Sequence, residues 1–220
     1  MAESMEIDGP RQAPASGGEP KQLVILLHGL GADGDDLIGL ASHWAQVLPD
    51  AAFAAPNAPF PCDMAPYGYQ WFSVQDRSPE AMLAGVRSAA STLNAFIDAE
   101  LARTGLGADK LALIGFSQGT MMSLYVAPRR DEPVVAVVGY SGRLIAPDRL
   151  NAETVSRPPV LLIHGMADDL VPFPSMAEAE TGLKGAGFTV ETEARPGLGH
   201  GIDPEGLTRA GNFLREKFEL

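Results

Sequence analysis

The sequence has little cysteine, little positive charge and no long apolar run. Its one cysteine, Cys62, excludes a disulfide framework and a cysteine-based metal cluster. The formal net charge is -12 at pH 7, which argues against nucleic acid or an anionic membrane surface as the main partner. No apolar run reaches the roughly 18 residues of a transmembrane helix, so stable membrane insertion is not expected.

The start of the chain is acidic and polar, and it lacks the basic and apolar regions of a signal peptide. We therefore predict a flexible N-terminal tail over residues 1–20 and a protein of the reducing cytoplasm. Residues 21–220 contain no internal repeat and no linker. Their length fits a single α/β domain with a large buried core.

Short apolar runs alternate with amphipathic stretches along residues 21–220, which is the βαβ pattern of a mostly parallel sheet covered by helices. Ser78-Pro79 predicts the start of a long helix that ends near Gly105, and Asp203-Pro204 predicts the start of the last one. Ser175, followed by Glu178, predicts a capped helix start. The candidate strands are residues 23–27, 51–55, 111–114, 134–138, 160–163 and 188–193.

Ligands and reactive groups in such sheets lie at the carboxyl ends of the strands. Several polar residues of this sequence fall at predicted strand ends or in the loops that follow them, and they are His28, Ser117, Ser141, His164 and Asp168.

The segment Gly115-Phe116-Ser117-Gln118-Gly119 is a G-x-S-x-G between a predicted strand and a predicted helix. That context is typical of a nucleophile elbow, in which the glycines leave room for neighbouring backbone and the serine is held above the sheet. The alternative is an ordinary strand-to-helix turn in which Ser117 caps the helix.

A nucleophilic serine needs a base, and the base needs an acid that orients it. After such an elbow the chain order is serine, acid, histidine, and this order selects His200, which lies in a glycine-rich loop. Asp168 and Asp169 both lie between Ser117 and His200, just after a strand, and the residues alone do not choose between them. His28 and His164 are interpreted as hydrogen-bonded structural groups.

An acyl-transfer enzyme also needs two preplaced N–H donors for the oxyanion. The fold predicts one from the amide of Gln118 and one from the amide of Leu30, in a glycine-rich turn after the first strand. The alternative is that the turn only reverses the chain. Its glycines at 29, 31 and 34 also match the spacing of a dinucleotide fingerprint, although the acidic residue expected at a later strand end is missing.

Residues 56–77 are rich in proline and aromatic side chains and show no periodicity. A long irregular segment of this kind is often functional, and we interpret it as one wall of an acyl pocket. The alternative is an apolar plug over the sheet. The side chains predicted to line the pocket are Trp71, Phe72, Phe116 and Val171.

Taken together, these motifs resemble the phospholipase/carboxylesterase family of α/β-hydrolases, which includes acyl-protein thioesterases, over about residues 21–218. The resemblance rests on 27–31 (LHGLG), 56–59 (PNAP), Trp71-Phe72, 115–119 (GFSQG), the HGxxDxxVP run from His164, and Gly199-His200. At Ser73 and Thr120, which lie beside these motifs, the sequence resembles bacterial members of the family.

The resemblance implies a Ser117–Asp168–His200 triad and an oxyanion hole at Leu30 and Gln118. It selects Asp168 as the acid, and it implies hydrolysis of esters and thioesters of small molecules with no cofactor and no metal. A homodimer is possible by the same resemblance. We therefore expect a serine carboxylesterase for short-to-medium chain esters.

Three other functions remain open at this point. A thioesterase or lysophospholipase would use the same scaffold, a catalytically silent relative would only bind a ligand, and a nucleotide-binding oxidoreductase would use the early glycines.

Overall fold

The computed structural model describes residues 6–220. In chain order its strands are β1 (Arg11–Gln12), β2 (Gln22–Leu27), β3 (Ala51–Ala54), β4 (Phe60–Pro61), β5 (Tyr69–Gln70), β6 (Leu111–Phe116), β7 (Ala136–Tyr140), β8 (Val160–Gly165) and β9 (Val190–Arg195). Its helices are α1 (Gly34–Ile38), α2 (Ala41–Trp44), α3 (Pro79–Thr104), α4 (Gln118–Val126), α5 (Pro147–Glu153), α6 (Pro174–Gly185) and α7 (Pro204–Lys217).

The central sheet has seven strands in the order β1-β3-β2-β6-β7-β8-β9. Strand β1 is antiparallel to β3, and every other neighbouring pair is parallel. The predicted mostly parallel sheet is therefore confirmed. Strands β4 and β5 form a separate antiparallel pair inside the 56–77 segment, so this segment is less irregular than the sequence indicates.

Both faces of the sheet are buried along β2, β3, β6, β7 and β8, which explains why these strands are nearly continuous apolar runs. In β2, Leu23, Ile25 and Leu27 pack on one face with α3, α4 and α6, while Val24 and Leu26 pack on the other face with α1, α2 and α7. This alternation is the two-residue period of a strand, and it confirms the prediction of helices on both faces.

The two strongest helix-start signals are confirmed. The Ser78 hydroxyl accepts a hydrogen bond from the Ala81 amide at the start of α3, and that helix ends at Gly105 with a φ of 69°. The Asp203 carboxylate accepts from the Gly206 amide at the start of α7. None of the helices within residues 6–220 combines the length and the apolar character needed to cross a bilayer.

The predicted start of α6 is wrong. The helix begins at Pro174 and its N-cap residue is Phe173, so Ser175 lies inside the first turn and caps nothing. Proline is already shaped for the first helical position, and this moves the start two residues towards the N-terminus. Strand β7 likewise begins at Ala136, two residues after its predicted start, where pairing with β6 begins.

The prediction of a flexible tail over residues 1–20 is wrong for residues 6–20, and residues 1–5 lie outside the described part. Arg11 and Gln12 pair with β3 at the edge of the sheet. The Arg11 guanidinium also lies 2.7 Å from the carboxylate of Glu100, which is only 2% exposed. A buried carboxylate requires a charged partner, so this ion pair ties the segment to α3.

Candidate active site

The carboxyl edge of the sheet brings together the three residues that the sequence selected. Ser117 follows β6, Asp168 follows β8, and His200 lies in the loop between β9 and α7. Because β6, β7 and β8 are parallel neighbours, their ends meet at the same edge.

Ser117 has a backbone conformation that L-residues rarely adopt, with a φ of 53° and a ψ of -114°. Its amide donates to the carbonyl of Tyr140 at 2.8 Å, which holds the turn against β7. The side chain makes no capping hydrogen bond to α4, so the alternative of an ordinary helix cap does not describe this turn. A strained serine at a strand end is typical of a nucleophile elbow.

The glycines on either side of Ser117 are required by close backbone contact. A Cβ added at Gly119 would lie 1.9 Å from the carbonyl oxygen of Leu27, and one added at Gly115 would lie 2.3 Å from the amide nitrogen of Thr120. Real Cβ atoms essentially never come this close. The spacing of the motif is thus explained by the contact of the elbow with β2 and with its own helix.

The Asp168 side chain is fully buried and uses both of its oxygens. Oδ2 accepts from Nδ1 of His200 at 2.8 Å, while Oδ1 accepts from the amides of Leu170 and Val171 at 3.0 and 2.9 Å. Burial alone would raise the pKa of Asp168, but the hydrogen bonds from His200 and Val171 outweigh it and hold the pKa below its ordinary range. Asp169 lines the cavity instead and makes no contact of this kind.

Within residues 6–220, no hydrogen bond joins the Ser117 hydroxyl to His200, although both side chains line one cavity. Because the Nδ1–H of His200 is donated to Asp168, its Nε2 is the ring nitrogen left to accept a proton. The His200 ring also lies 4.8 Å from the ring of Phe116, which limits its movement. Serine–histidine hydrogen bonds are often long in unliganded enzymes and shorten with substrate.

His164 takes part in this arrangement, and its contact with the acid was not foreseen. Its Nε2 lies 2.8 Å from the carbonyl oxygen of Val171 and 3.3 Å from Oδ2 of Asp168. The ring is 2% exposed, so its contact with Asp168 is buried. The signal in the sequence is the four-residue spacing of His164 and Asp168 across the turn that follows β8.

His28 is the structural group that the sequence indicated. Its Nδ1 donates to the carbonyl of Gly29 at 2.7 Å, and its Nε2 accepts from the amide of Ala58 at 2.9 Å. Burial lowers the pKa of His28 and outweighs the opposing effect of the Gly29 hydrogen bond, so the ring is held neutral. It links the turn after β2 to residues 56–59.

The amides of Leu30 and Gln118 are available to a bound oxyanion. Both residues line the cavity beside Ser117. Gln118 is the first residue of α4, so its amide has no acceptor within the helix. No hydrogen bond within residues 6–220 uses either amide. The positive end of the α4 dipole points at the same place.

One short segment, residues 69–72, holds both of these donors in place. The carbonyl of Tyr69 accepts from the amide of Gly31 at 2.9 Å, beside Leu30. The side-chain amide of Gln118 accepts from the amide of Trp71 at 2.9 Å and donates to the carbonyl of Phe72 at 2.7 Å.

The prediction that Trp71 and Phe72 line the pocket is wrong. Both are buried in the core against α3, at 0% and 2% exposure. The indole N–H of Trp71 donates to the carbonyl of His28 at 3.0 Å, which satisfies its one polar atom and lets the ring enter the core. These aromatics therefore form the plug of the alternative interpretation, and the indole hydrogen bond supports the turn that follows β2.

The cavity above Ser117 has a volume of about 420 Å³. Phe116 and Val171 line it as predicted, and three charged side chains, Arg77, Arg143 and Asp169, share the lining. A wider groove of about 780 Å³ lies between residues 6–11 and α3, but no serine, histidine or cysteine lines it. The remaining apolar lining of the Ser117 cavity comes from Leu30, Ala32, Met64, Val74, Met82, Met121, Leu170 and Pro172.

The turn at residues 29–34 does not suit a dinucleotide. A pyrophosphate would need the free amides at the start of the following helix. In this chain the Asp33 carboxylate already accepts from the amide of Asp36, and Asp36 accepts from the amide of Asp33. Asp35 adds a further negative charge in the first turn of α1 and would repel a phosphate.

Comparison with known proteins gives one family for nearly the whole chain. The phospholipase/carboxylesterase family matches residues 12–218. The structure of esterase PE8 superposes with a TM-score of 0.91 at 44% identity, covering 96% of this chain and 99% of that one.

Among curated proteins, the chain is 31% identical to esterase YpfH of Escherichia coli, over 89% of this chain and 82% of that protein. It is 28% identical to acyl-protein thioesterase 1 of Neurospora crassa, over 88% and 86% respectively. The chain therefore belongs to the phospholipase/carboxylesterase family of α/β-hydrolases and is a hydrolase of that family.

Proposed function

We propose that this hydrolase is a serine carboxylesterase that cleaves short-to-medium chain carboxylic esters through an acyl-enzyme. Ser117 is the nucleophile, His200 the general base and Asp168 the acid that orients it. The observation that carries the proposal is the 2.8 Å hydrogen bond from His200 Nδ1 to buried Asp168, beside a strained Ser117 in an apolar cavity.

In the acylation step, Ser117 Oγ attacks the carbonyl carbon of the ester while its proton passes to His200 Nε2. The carbonyl oxygen becomes an oxyanion that accepts hydrogen bonds from the amides of Leu30 and Gln118. Asp168 stays ionised and stabilises the imidazolium. The carbon–oxygen bond to the alcohol then breaks, and the alcohol leaves with the proton from His200.

In the deacylation step, His200 takes a proton from water as the water oxygen attacks the acyl carbon on Ser117. The same two amides stabilise the second oxyanion. The bond to Ser117 Oγ breaks, the serine recovers its proton from His200, and the carboxylic acid leaves. Each histidine proton transfer uses Nε2, because Nδ1–H remains bonded to Asp168 throughout.

The size and lining of the cavity support the proposed acyl chain length. A volume of about 420 Å³ with mostly apolar side chains suits an acyl group of modest length. A thioesterase is the second candidate, because one of the relatives is an acyl-protein thioesterase. A ligand-binding protein without activity would be expected to lack Ser117, Asp168 or His200. The homodimer and the cytoplasmic location remain predictions.

The test is the hydrolysis of para-nitrophenyl esters from acetate to laurate, with matched thioesters, by the wild type and by Ser117→Ala. We expect turnover with a maximum at an intermediate chain length and a loss on the order of 10⁴-fold or more in the variant. Ser91→Ala, at an exposed position of α3, is the matched serine control. Turnover by folded Ser117→Ala at the wild-type rate would contradict the proposal, and faster cleavage of thioesters would favour the second candidate.

A further inference from the structure

Most basic side chains of this acidic protein are paired with carboxylates. Every lysine lies within 4.0 Å of an Asp or Glu oxygen, as do most arginines. The arginines that form no ion pair with a carboxylate of residues 6–220 are Arg77, Arg143, Arg157 and Arg215.

Two of these unpaired arginines, Arg77 and Arg143, line the same cavity as Ser117. Arg77 comes from the turn before α3, where its Nε donates to the carbonyl of Val74 at 3.3 Å. Arg143 comes from the loop after β7, and no hydrogen bond within residues 6–220 uses its guanidinium. The cavity thus receives one free positive group from each of two separate segments.

The charge of this cavity is opposite to that of the molecule. The chain carries a formal charge of -12, yet its catalytic cavity has two guanidinium groups and a single acidic side chain, Asp169, in its lining. Guanidinium groups bind carboxylates through paired N–H donors. The two arginines and Asp169 together carry a net charge of +1. One carboxylate on a bound substrate would bring this net charge to zero, whereas a dianion would leave it negative.

We propose that Arg77 and Arg143 form a subsite for a carboxylate, and that the substrate carries this group in addition to its ester. The inference rests on the proposed esterase function and narrows it to half-esters of dicarboxylic acids and esters of carboxylated alcohols. The apolar lining holds the carbon chain, and the two arginines hold its charged end. They also attract the anionic ester towards a protein that would otherwise repel it.

The experiment compares two para-nitrophenyl esters with six-carbon acyl groups, the hexanoate and the mono-adipate, which differ in a terminal methyl against a carboxylate. The quantity measured is kcat/KM for the adipate divided by kcat/KM for the hexanoate. A second pair, hexanoyl esters of para-hydroxybenzoate and of para-hydroxyacetophenone, places the carboxylate on the alcohol side instead. The variants are Arg77→Gln, Arg143→Gln and both together, with Arg215→Gln as the control at an unpaired arginine outside the cavity.

For at least one of the two pairs, we expect the ratio to fall about threefold in each single variant and about tenfold in the double variant, as for exposed ion pairs. Asp169→Asn should raise the ratio, and added salt should lower it in the wild type but not in the double variant. Arg215→Gln should leave it unchanged.

A ratio that stays the same in the double variant for both pairs, while neutral esters are still hydrolysed, would overturn the carboxylate subsite and leave the esterase proposal intact. If no ester is hydrolysed and a fluorophosphonate fails to label Ser117, the esterase proposal fails and the subsite falls with it.

Discussion

Around Asp168 the polar groups are fixed by several short contacts, whereas the cavity beside it is walled by apolar side chains, some of which are largely exposed. We call the Asp168 side chain together with the backbone of residues 165–172 the acid turn, and the side chains of Met64, Val74, Met82, Met121 and Leu170 the cavity wall. Asp168 is 7% exposed and receives hydrogen bonds on both oxygens, while Met64 and Leu170 are 55% and 68% exposed.

The difference matches the separate demands of chemistry and substrate binding. In the proposed mechanism, proton transfer requires His200 in one orientation and one tautomer, and its partner Asp168 is held by two backbone amides and contacted by His164. An acyl chain has no polar groups to orient, and methionine adapts its shape at little cost. Substitutions in the acid turn should therefore abolish most of the activity, whereas substitutions in the cavity wall should preserve activity and alter the preference for acyl chain length.

Asp168→Asn should produce the largest effect on the acid turn. Asparagine keeps the shape, but it cannot hold His200 in the required tautomer or stabilise the imidazolium, so we expect kcat to fall about 10⁴-fold. Steady-state ester hydrolysis measures the loss. Asp169→Asn removes the neighbouring carboxylate that makes no contact with His200, and its effect on a neutral ester should be far smaller. Equal losses in the two variants would contradict the choice of Asp168.

Gly119→Ala should disrupt the elbow that holds Ser117. The added Cβ would meet the carbonyl of Leu27 at 1.9 Å, so the backbone must move, and we expect a loss of at least about 2 kcal/mol in the free energy of unfolding. Gly185→Ala is the matched control, because nothing lies within 4 Å of its Cβ at the end of α6. Urea unfolding of both variants tests the prediction, and equal stabilities would refute it.

The lowered pKa of Asp168 predicts that the contribution of this residue to the free energy of unfolding depends on pH. The apolar side chains of the cavity wall make no such contribution. Because the pKa is lower in the folded than in the unfolded chain, the ionised carboxylate stabilises the fold above its unfolded pKa, and this contribution is lost as pH falls through the folded pKa. The difference in unfolding free energy between wild type and Asp168→Asn should therefore shrink from about pH 5 to about pH 2. Urea titrations at several pH values measure it, and a constant difference would contradict the ionised state.

Leu170→Ala should give the smallest effect. The side chain is 68% exposed, so the free energy of unfolding should change by less than about 0.5 kcal/mol. Loss of apolar contact at the cavity should lower kcat/KM for hexanoate relative to acetate about two- to fivefold. Thermal unfolding and a chain-length series check the two parts. A change in kcat as large as that of Asp168→Asn would show that the side chain belongs to the catalytic arrangement.

The sequence was most informative where a residue's role depends on its immediate neighbours. The elbow could be predicted because Gly119 is required by the contact of such a turn with β2, and Gly115 by its contact with the helix that follows. The helix starts at Ser78 and Asp203 could be predicted because a cap acts within four residues.

The sequence failed where the outcome depends on distant partners. Nothing local shows that Arg11 meets Glu100, so the sequence of this segment predicts a tail. The position of Trp71 cannot be predicted locally, because an aromatic in an irregular segment suits both a cavity and a core. The direction in which the Trp71 side chain points depends on a hydrogen-bond acceptor, the carbonyl of His28, which lies 43 residues away in the chain.

The proposed function requires that Ser117 is a nucleophile activated by His200 and Asp168. The most direct measurement is labelling of the purified, folded protein with a fluorophosphonate probe, followed by peptide mapping, with Ser117→Ala and Asp168→Asn treated in parallel. We expect covalent labelling at Ser117, no labelling of Ser117→Ala and much slower labelling of Asp168→Asn. An unlabelled wild type, or a label on another residue, would contradict it.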